Sequence, residues 1–265
     1  MHEQVAWGLG KPAVEDVFFN LESDTAAYNG SFAKARAFSQ RAVDSATRTG
    51  GRETAAAWKA NEGLREIEIG NASRSKKAAA EALALNRGRD VTVAVALTFA
   101  RAGETVQAQK LAEELDKEFP LDTLMQGYAL PTIRAAIELR KNNPDKAIDS
   151  LETTAPYEMG RTNQTGAGGF LDSLYPVYVR GQAYLRLGQG QQAAAEFQKM
   201  IDHPGIVLNF VTGALAHLQL GRAQVMMGDK VAARKSYQHF LTLWKDADPD
   251  IPIYQQAKAE YARLR

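Results

Sequence analysis

Apolar and small residues recur along this chain as pairs of helical stripes separated by a turn. In "VAVALTFARAGETVQAQKLAEELDKEFP" the small Ala96 is followed by Phe99, and Gly103 breaks the run. Ala108 then opens a second stripe, Leu115 continues it and Pro120 closes it. The same offsets carry Gly181, Tyr184, Gly188, Ala193, Phe197, Met200 and Pro204 in "VYVRGQAYLRLGQGQQAAAEFQKMIDHP". They carry Gly221, Gln224, Gly228, Ala233, Tyr237 and Phe240 in "LGRAQVMMGDKVAARKSYQHF". Fainter copies place Ala135, Asn142, Ala147 and Leu151, then Gly63 and Gly70, and Ser23, Gly30, Ala35 and Ala42.

Each copy predicts a helix–turn–helix unit. A small residue on the first helix and an alanine on the second let the two backbones approach, and larger apolar residues fill the space beside them. Glycine or asparagine at the turn accepts a positive φ where the first helix stops, and a closing proline prevents the second from continuing. The turn positions Gly30, Gly70, Gly103, Asn142, Gly188 and Gly228 predict six units. A final helix within 250–265 follows, where Ile253, Tyr254, Ala257, Tyr261 and Leu264 recur at helical spacing; it is expected to cover the last repeat. Runs rich in Ala, Leu, Glu, Lys and Gln favour helix, and the β-branched "VTVAV" (91–95) continues into helical period, so no strand is expected. Two insertions interrupt the array. Residues 157–176, rich in Gly, Thr and Asn, are expected to form a mobile loop, and the apolar "HPGIVLNFVTG" (203–213) is expected to pack.

These units resemble the tetratricopeptide repeat, a helical pair of about 34 residues. The resemblance implies an all-α, right-handed superhelix of about six units in a single domain, 1–265. "GNASRSKKAAAEALAL", "FPLDTLMQGYALPTIRAAIEL", "HPGIVLNFVTGALAHLQLGRAQ" and "SYQHFLTLWKDADPDIPIYQQAKAEY" are similar, more specifically, to the C-terminal helical-repeat region of bacterial eukaryote-like serine/threonine protein kinases. Related regions occur behind winged-helix DNA-binding domains. The glycine-rich loop, HRD-type and DFG-type motifs of a kinase are not in this chain. The resemblance therefore implies a docking or sensor region, and the start at "MHEQVAWGLGKPAVEDVFF", already inside repeat-like sequence, reads as that of a piece of a longer protein. Whether it lies inside or outside the cytoplasm depends on a membrane span in that longer protein.

Composition narrows the chemistry. With Lys+Arg 32 against Asp+Glu 31 the charge nearly cancels, so no global field recruits nucleic acid or an anionic membrane. The longest apolar stretch, 91–100, is about half a membrane span. The first residues, "MHEQVAWGLGKPAVEDVFF", have no basic region followed by an apolar core, so they do not read as a signal peptide. The absence of cysteine removes disulfides, thiolate metal sites and cysteine nucleophiles. Gly221, Gly228 and Lys230 do not form a phosphate loop, because Asp229 follows the second glycine and the spacing is too long. "GAGG" at 166–169 follows no strand and is no dinucleotide fingerprint. His2, His203, His217 and His239 contain no i, i+4 pair, and His217 and His239, on different helices, are expected to lack partners. Glu113, Glu114, Asp116 and Glu118 alternate with Lys117 as a solvated face. No cofactor, metal or catalytic group is expected.

Binding remains. In the resembled family the first helices line a concave groove, and the best-known groove grips a chaperone's C-terminal carboxylate with lysine and asparagine. Those residue types are missing at the matching offsets here. The N-terminal part of the expected groove is apolar, with Ala60, Leu64, Val93 and Leu97. Its C-terminal part offers Tyr175, Tyr178, Gln182, Arg186 and Arg222, and Arg101 and Arg140 of earlier units share the offset of Arg186, five residues after the small residue. Aromatic surface beside guanidinium groups suits an acidic or aromatic segment of a protein partner. Self-association and small-ligand binding near the "TGAGG" segment are the alternative readings.

Overall fold

The computed structural model describes residues 7–160 and 174–264, and it is all-helical: among the described residues there is no strand. Six antiparallel pairs follow in order. They are α1 (Glu15–Tyr28) with α2 (Phe32–Arg48), α3 (Arg52–Glu68) with α4 (Ala72–Leu85), and α5 (Arg89–Ala102) with α6 (Thr105–Glu118). A π-helical turn, Met125–Ala129, leads into α7 (Leu130–Arg140), which pairs with α8 (Pro144–Ser150), and α9 (Tyr175–Arg186) pairs with α10 (Gly190–Asp202). The short α11 (Pro204–Val207) precedes α12 (Val211–Met226) and α13 (Lys230–Leu243), and α14 (Pro252–Ala262) ends the chain. Most of the expected loop 157–176 lies outside the described residues. At its two ends Tyr157–Gly160 is a turn and Tyr175 opens α9.

All six turn positions anticipated from the sequence have left-handed backbone: φ is +80° at Gly30, +91° at Gly70, +88° at Gly103, +63° at Asn142, +75° at Gly188 and +80° at Gly228. Each is followed by one recurring hydrogen bond, in which the next residue's N–H reaches the carbonyl five positions back. Examples are Asn71 to Glu66, Asn143 to Glu138 and Asp229 to Gln224, at 2.9, 2.9 and 3.0 Å. This is the closing bond of a Schellman cap, so the first helix of every unit ends with its last carbonyls satisfied by its own turn. The small residues within the pairs are close-contact points. A Cβ at Gly181 would lie 2.6 Å from the Phe197 ring and one at Gly221 would lie 2.8 Å from Tyr237.

The pairs curve until the two ends of the array meet. The Trp244 indole N–H donates to the Tyr28 carbonyl at 2.9 Å, and its ring packs on Phe32, Phe240 and Tyr254 with centroids 5.9, 4.8 and 6.0 Å away. Asp248 accepts from the Ala33 N–H at 2.6 Å, supplying to the start of α2 the cap that Ser31 does not. The Asp248 N–H donates in turn to the Gly30 carbonyl at 3.1 Å. Ile253 N–H reaches the Ile69 carbonyl at 3.3 Å, joining the start of α14 to the second unit. Gly30 is needed here twice over, since a Cβ would combine a positive φ with a 2.5 Å approach to Ala247. The 203–213 segment packs as its apolar character suggested. Val207 and Val211 are buried, and the Asn209 amide donates to Thr25 Oγ1 of α1 at 3.1 Å.

Closure fills the middle of the molecule. Tyr175 and Tyr178, expected on an open concave face, are 2% and 0% exposed, because α9 is pressed against α3 and α12 from across the ring. Leu64 and Leu97 are buried with them, so the expected apolar groove is core.

Trp244→Ala is expected to cost about 3–5 kcal/mol of unfolding free energy through lost burial and the cavity left behind, and to raise the radius of gyration measured by X-ray scattering. Asp248→Ala is expected to cost about 1 kcal/mol as a lost cap. An unchanged radius in Trp244→Ala would show that the ring is held elsewhere.

Candidate functional site

Where the first helices of units two to six end, their last turns surround a cavity of about 420 Å³. Arg101 and Ala102 come from α5, Leu139 and Arg140 from α7, Gln182, Leu185 and Arg186 from α9, and Gln219 and Arg222 from α12. Ile67, Gly70 and Ala72 complete it at the second unit's turn. Five of the seven residues anticipated as a binding face thus converge on one space, while Tyr175 and Tyr178 stand behind it in the wall. Among the described residues no carboxylate, lysine or histidine lines the cavity.

Local structure explains the convergence. Arg101, Arg140 and Arg186 occupy one register, in the last turn of their helices, where a cation is favoured by the helix dipole. Successive units therefore bring equivalent positions side by side. The arginines differ in what holds them. Arg101 forms a bidentate pair with buried Glu68 at 2.8 and 2.9 Å, and Glu68 also accepts from the Tyr175 hydroxyl at 2.5 Å. Burial works against the Arg101 charge, but Glu68 more than offsets it and the guanidinium holds its proton more tightly than usual. Burial, and then Glu68, pushes the Tyr175 phenol well above its ordinary value, so it remains a donor. Arg222 is similarly clamped by Glu260 at 2.8 and 2.9 Å, an ion pair that ties α12 to α14. The Tyr237 hydroxyl donates to the same carboxylate at 2.7 Å.

Arg140 and Arg186 are different. Among the described residues neither has a carboxylate partner. The Arg140 guanidinium lies over Gly103, and Arg186 donates to the Leu139 carbonyl at 2.9 Å. Burial, and then the nearby charges of Arg101 and Arg140, lowers the Arg186 pKa. The amides complete the lining. Gln219 is buried, accepts from Arg222 at 3.3 Å and makes a long bond of 3.4 Å to the Tyr178 hydroxyl. Gln182 Oε1 is buried without any hydrogen-bond partner.

Charged residues elsewhere serve the fold. Asp24, buried in the first unit, accepts from Arg65 at 2.5 Å, Asn61 at 3.0 Å and Asn20 at 2.9 Å. Burial raises its pKa even so. Glu158, wholly buried, is held at about 2: burial opposes ionisation, but bonds from Arg180, Lys199 and Thr154 outweigh it. Glu113, Glu114 and Glu118 are exposed, as expected of a solvated face. Among the described residues no three His, Asp or Glu side chains are grouped as a metal site, and no helix is long and apolar enough to cross a membrane.

The two histidines expected to be without partners are partners of each other. His217 of α12 and His239 of α13 stack with ring centroids 4.1 Å apart and planes 25° apart. Alignment within each helix could not show this, because the contact depends on how the pair is rotated. Burial, with a smaller contribution from His239, lowers the His217 pKa to about 4.

Neither a protein-family model nor a curated protein sequence matches this chain. Among solved structures it is similar to the crystal structure of the yeast Tom70, with a TM-score of 0.53 at 13% sequence identity. The match covers 99% of this chain, which spans 57% of the Tom70 chain. Tom70 is a tetratricopeptide-repeat protein, and the likeness shows the fold: the chain is an all-α solenoid of that type.

His217 is neutral in the folded protein, whereas in the unfolded chain it titrates near 6.5. Its neutral form therefore supports the fold fully above about pH 6.5, and that support is lost as the pH falls toward 4. Chemical unfolding across this range should show stability falling with acidification, and His217→Phe should flatten the slope. An unchanged slope would place the acid sensitivity in other groups.

Proposed function

We propose that this chain is a non-catalytic interaction module that docks a partner protein by anchoring an anionic group of one partner segment in the arginine cavity. The observation that carries the reading is that Arg140 and Arg186 face the cavity without a carboxylate partner among the described residues, while no acidic side chain lines it. Guanidinium forks match carboxylate or phosphate oxygens with two parallel donors. Their helix-end carbonyls are already capped, Arg186 spending one donor on Leu139, so their remaining donors are available to a ligand.

The filled centre alters the docking expected from the sequence. A segment cannot lie along the inner face where Tyr175, Tyr178 and Leu64 are packed, so the contact is at the rim, with one anchoring group entering the cavity. Rigid helix ends hold the arginines in place, so little ordering cost accompanies binding. A small free anion is the second reading, favoured by the bounded volume of the cavity. The resemblance to kinase-appended repeat regions supports a regulatory setting within a longer signalling protein.

Selection of displayed random peptides by the wild-type chain is expected to enrich anionic residues, and the Arg140→Gln/Arg186→Gln variant should lose at least about tenfold in affinity for the selected peptides, about 1.4 kcal/mol. Its unfolding free energy should stay within about 1 kcal/mol of wild type, since neither side chain holds an ion pair. Selected peptides that lack negative charge, or that bind the variant equally well, would move the docking site elsewhere.

A further inference from the structure

Among the described residues the charges around the cavity do not balance, and the imbalance has a definite size. Glu68 neutralises Arg101 and Glu260 neutralises Arg222, each with both carboxylate oxygens. Arg140 and Arg186 remain, two positive charges on neighbouring units facing one volume of about 420 Å³. Arg101 and Arg140 are close enough for their fields to be felt at Arg186. Among the described residues the other polar side chains in the lining are the amides of Gln182 and Gln219.

A single carboxylate entering this space would leave one guanidinium uncompensated. A phosphoryl group on a side chain carries about −1.5 to −2 charge near pH 7 and three strong acceptor oxygens on one centre, enough to bridge two or three guanidinium forks at once. We propose, resting on the docking reading above, that the anchoring group is a phosphorylated serine or threonine of the partner segment, held by Arg140 and Arg186.

Four probes test this on the full chain at pH 7.5, followed by calorimetry and by the side-chain Nε–Hε NMR signals of the arginines. They are N-acetyl-O-phosphoserine N-methylamide, the matching glutamate derivative, N-acetyl-Glu-Glu N-methylamide and inorganic phosphate. The phosphoserine derivative is expected to bind at least about tenfold more tightly than each of the others and to shift the signals of Arg140 and Arg186. Its binding should weaken severalfold at pH 5, where the phosphoryl group is mostly monoanionic, its second pKa being about 6, while the arginines stay charged. Arg140→Gln/Arg186→Gln should abolish it. Carboxylate probes that bind equally well or better would overturn the phosphoryl assignment and leave the docking reading standing. Tighter binding of inorganic phosphate would overturn the protein-borne source in favour of a free anion. Silence from all four would overturn both the phosphoryl assignment and the cavity as the anchor.

Discussion

The meeting of the sixth unit with the first governs the rest of this molecule. An array of helix pairs stacked only on neighbours leaves a concave surface open along its whole length. Here Trp244 fits beneath Tyr28 and Phe32, Asp248 caps α2 from the far end of the chain, and Ile253 bonds to Ile69. Once those contacts are made the inner faces have no solvent to face, and Tyr175, Tyr178 and Leu64 become core. What an open solenoid would offer as a groove is reduced to the space where the first helices finish, and that space is where the arginines are.

The repeats were legible because their determinants are local. A small residue with a turn residue seven positions later announces a helix pair, and Gly70, Gly103, Asn142 and Gly228 adopt the left-handed backbone that such turns require. The arginine register was legible for the same reason: Arg101, Arg140 and Arg186 follow their small residues at one fixed offset, and repeats bring equal offsets together. Curvature is not local. It accumulates from small rotations between units, so the burial of Tyr175 and Tyr178 could not be read from their positions in the repeat. The stacking of His217 on His239 likewise depends on how one helix is rotated against its neighbour.

Buried charge was the other feature hidden in the sequence. Glu68, Glu158 and Asp24 resemble any surface carboxylate when read in a line, yet each is enclosed and matched by arginine, lysine or amide donors. Such pairs add little net stability over apolar packing, but removing one partner leaves the other charge stranded. Glu68 shows how this bears on the cavity. By holding Arg101 with two oxygens and accepting from the Tyr175 hydroxyl besides, it pairs one of the four cavity arginines within the fold, as Glu260 pairs Arg222, and fixes the wall beside Arg140 and Arg186.

The cap that Asp248 provides to α2 spans 215 positions of sequence. Helix pairs close over short loops and form quickly, whereas a contact between distant residues must first overcome the entropy of a long loop. On a ribosome the first unit is made early, yet the residues that complete it, Trp244 and Asp248, emerge only much later, Asp248 lying 215 positions beyond Ala33. Until then Phe32 and the start of α2 remain uncovered, exposing apolar surface of the kind chaperones recognise. The stretch from Trp244 to Ile253 acts as a clasp, and before it fastens the first unit is open to proteolysis and misassembly.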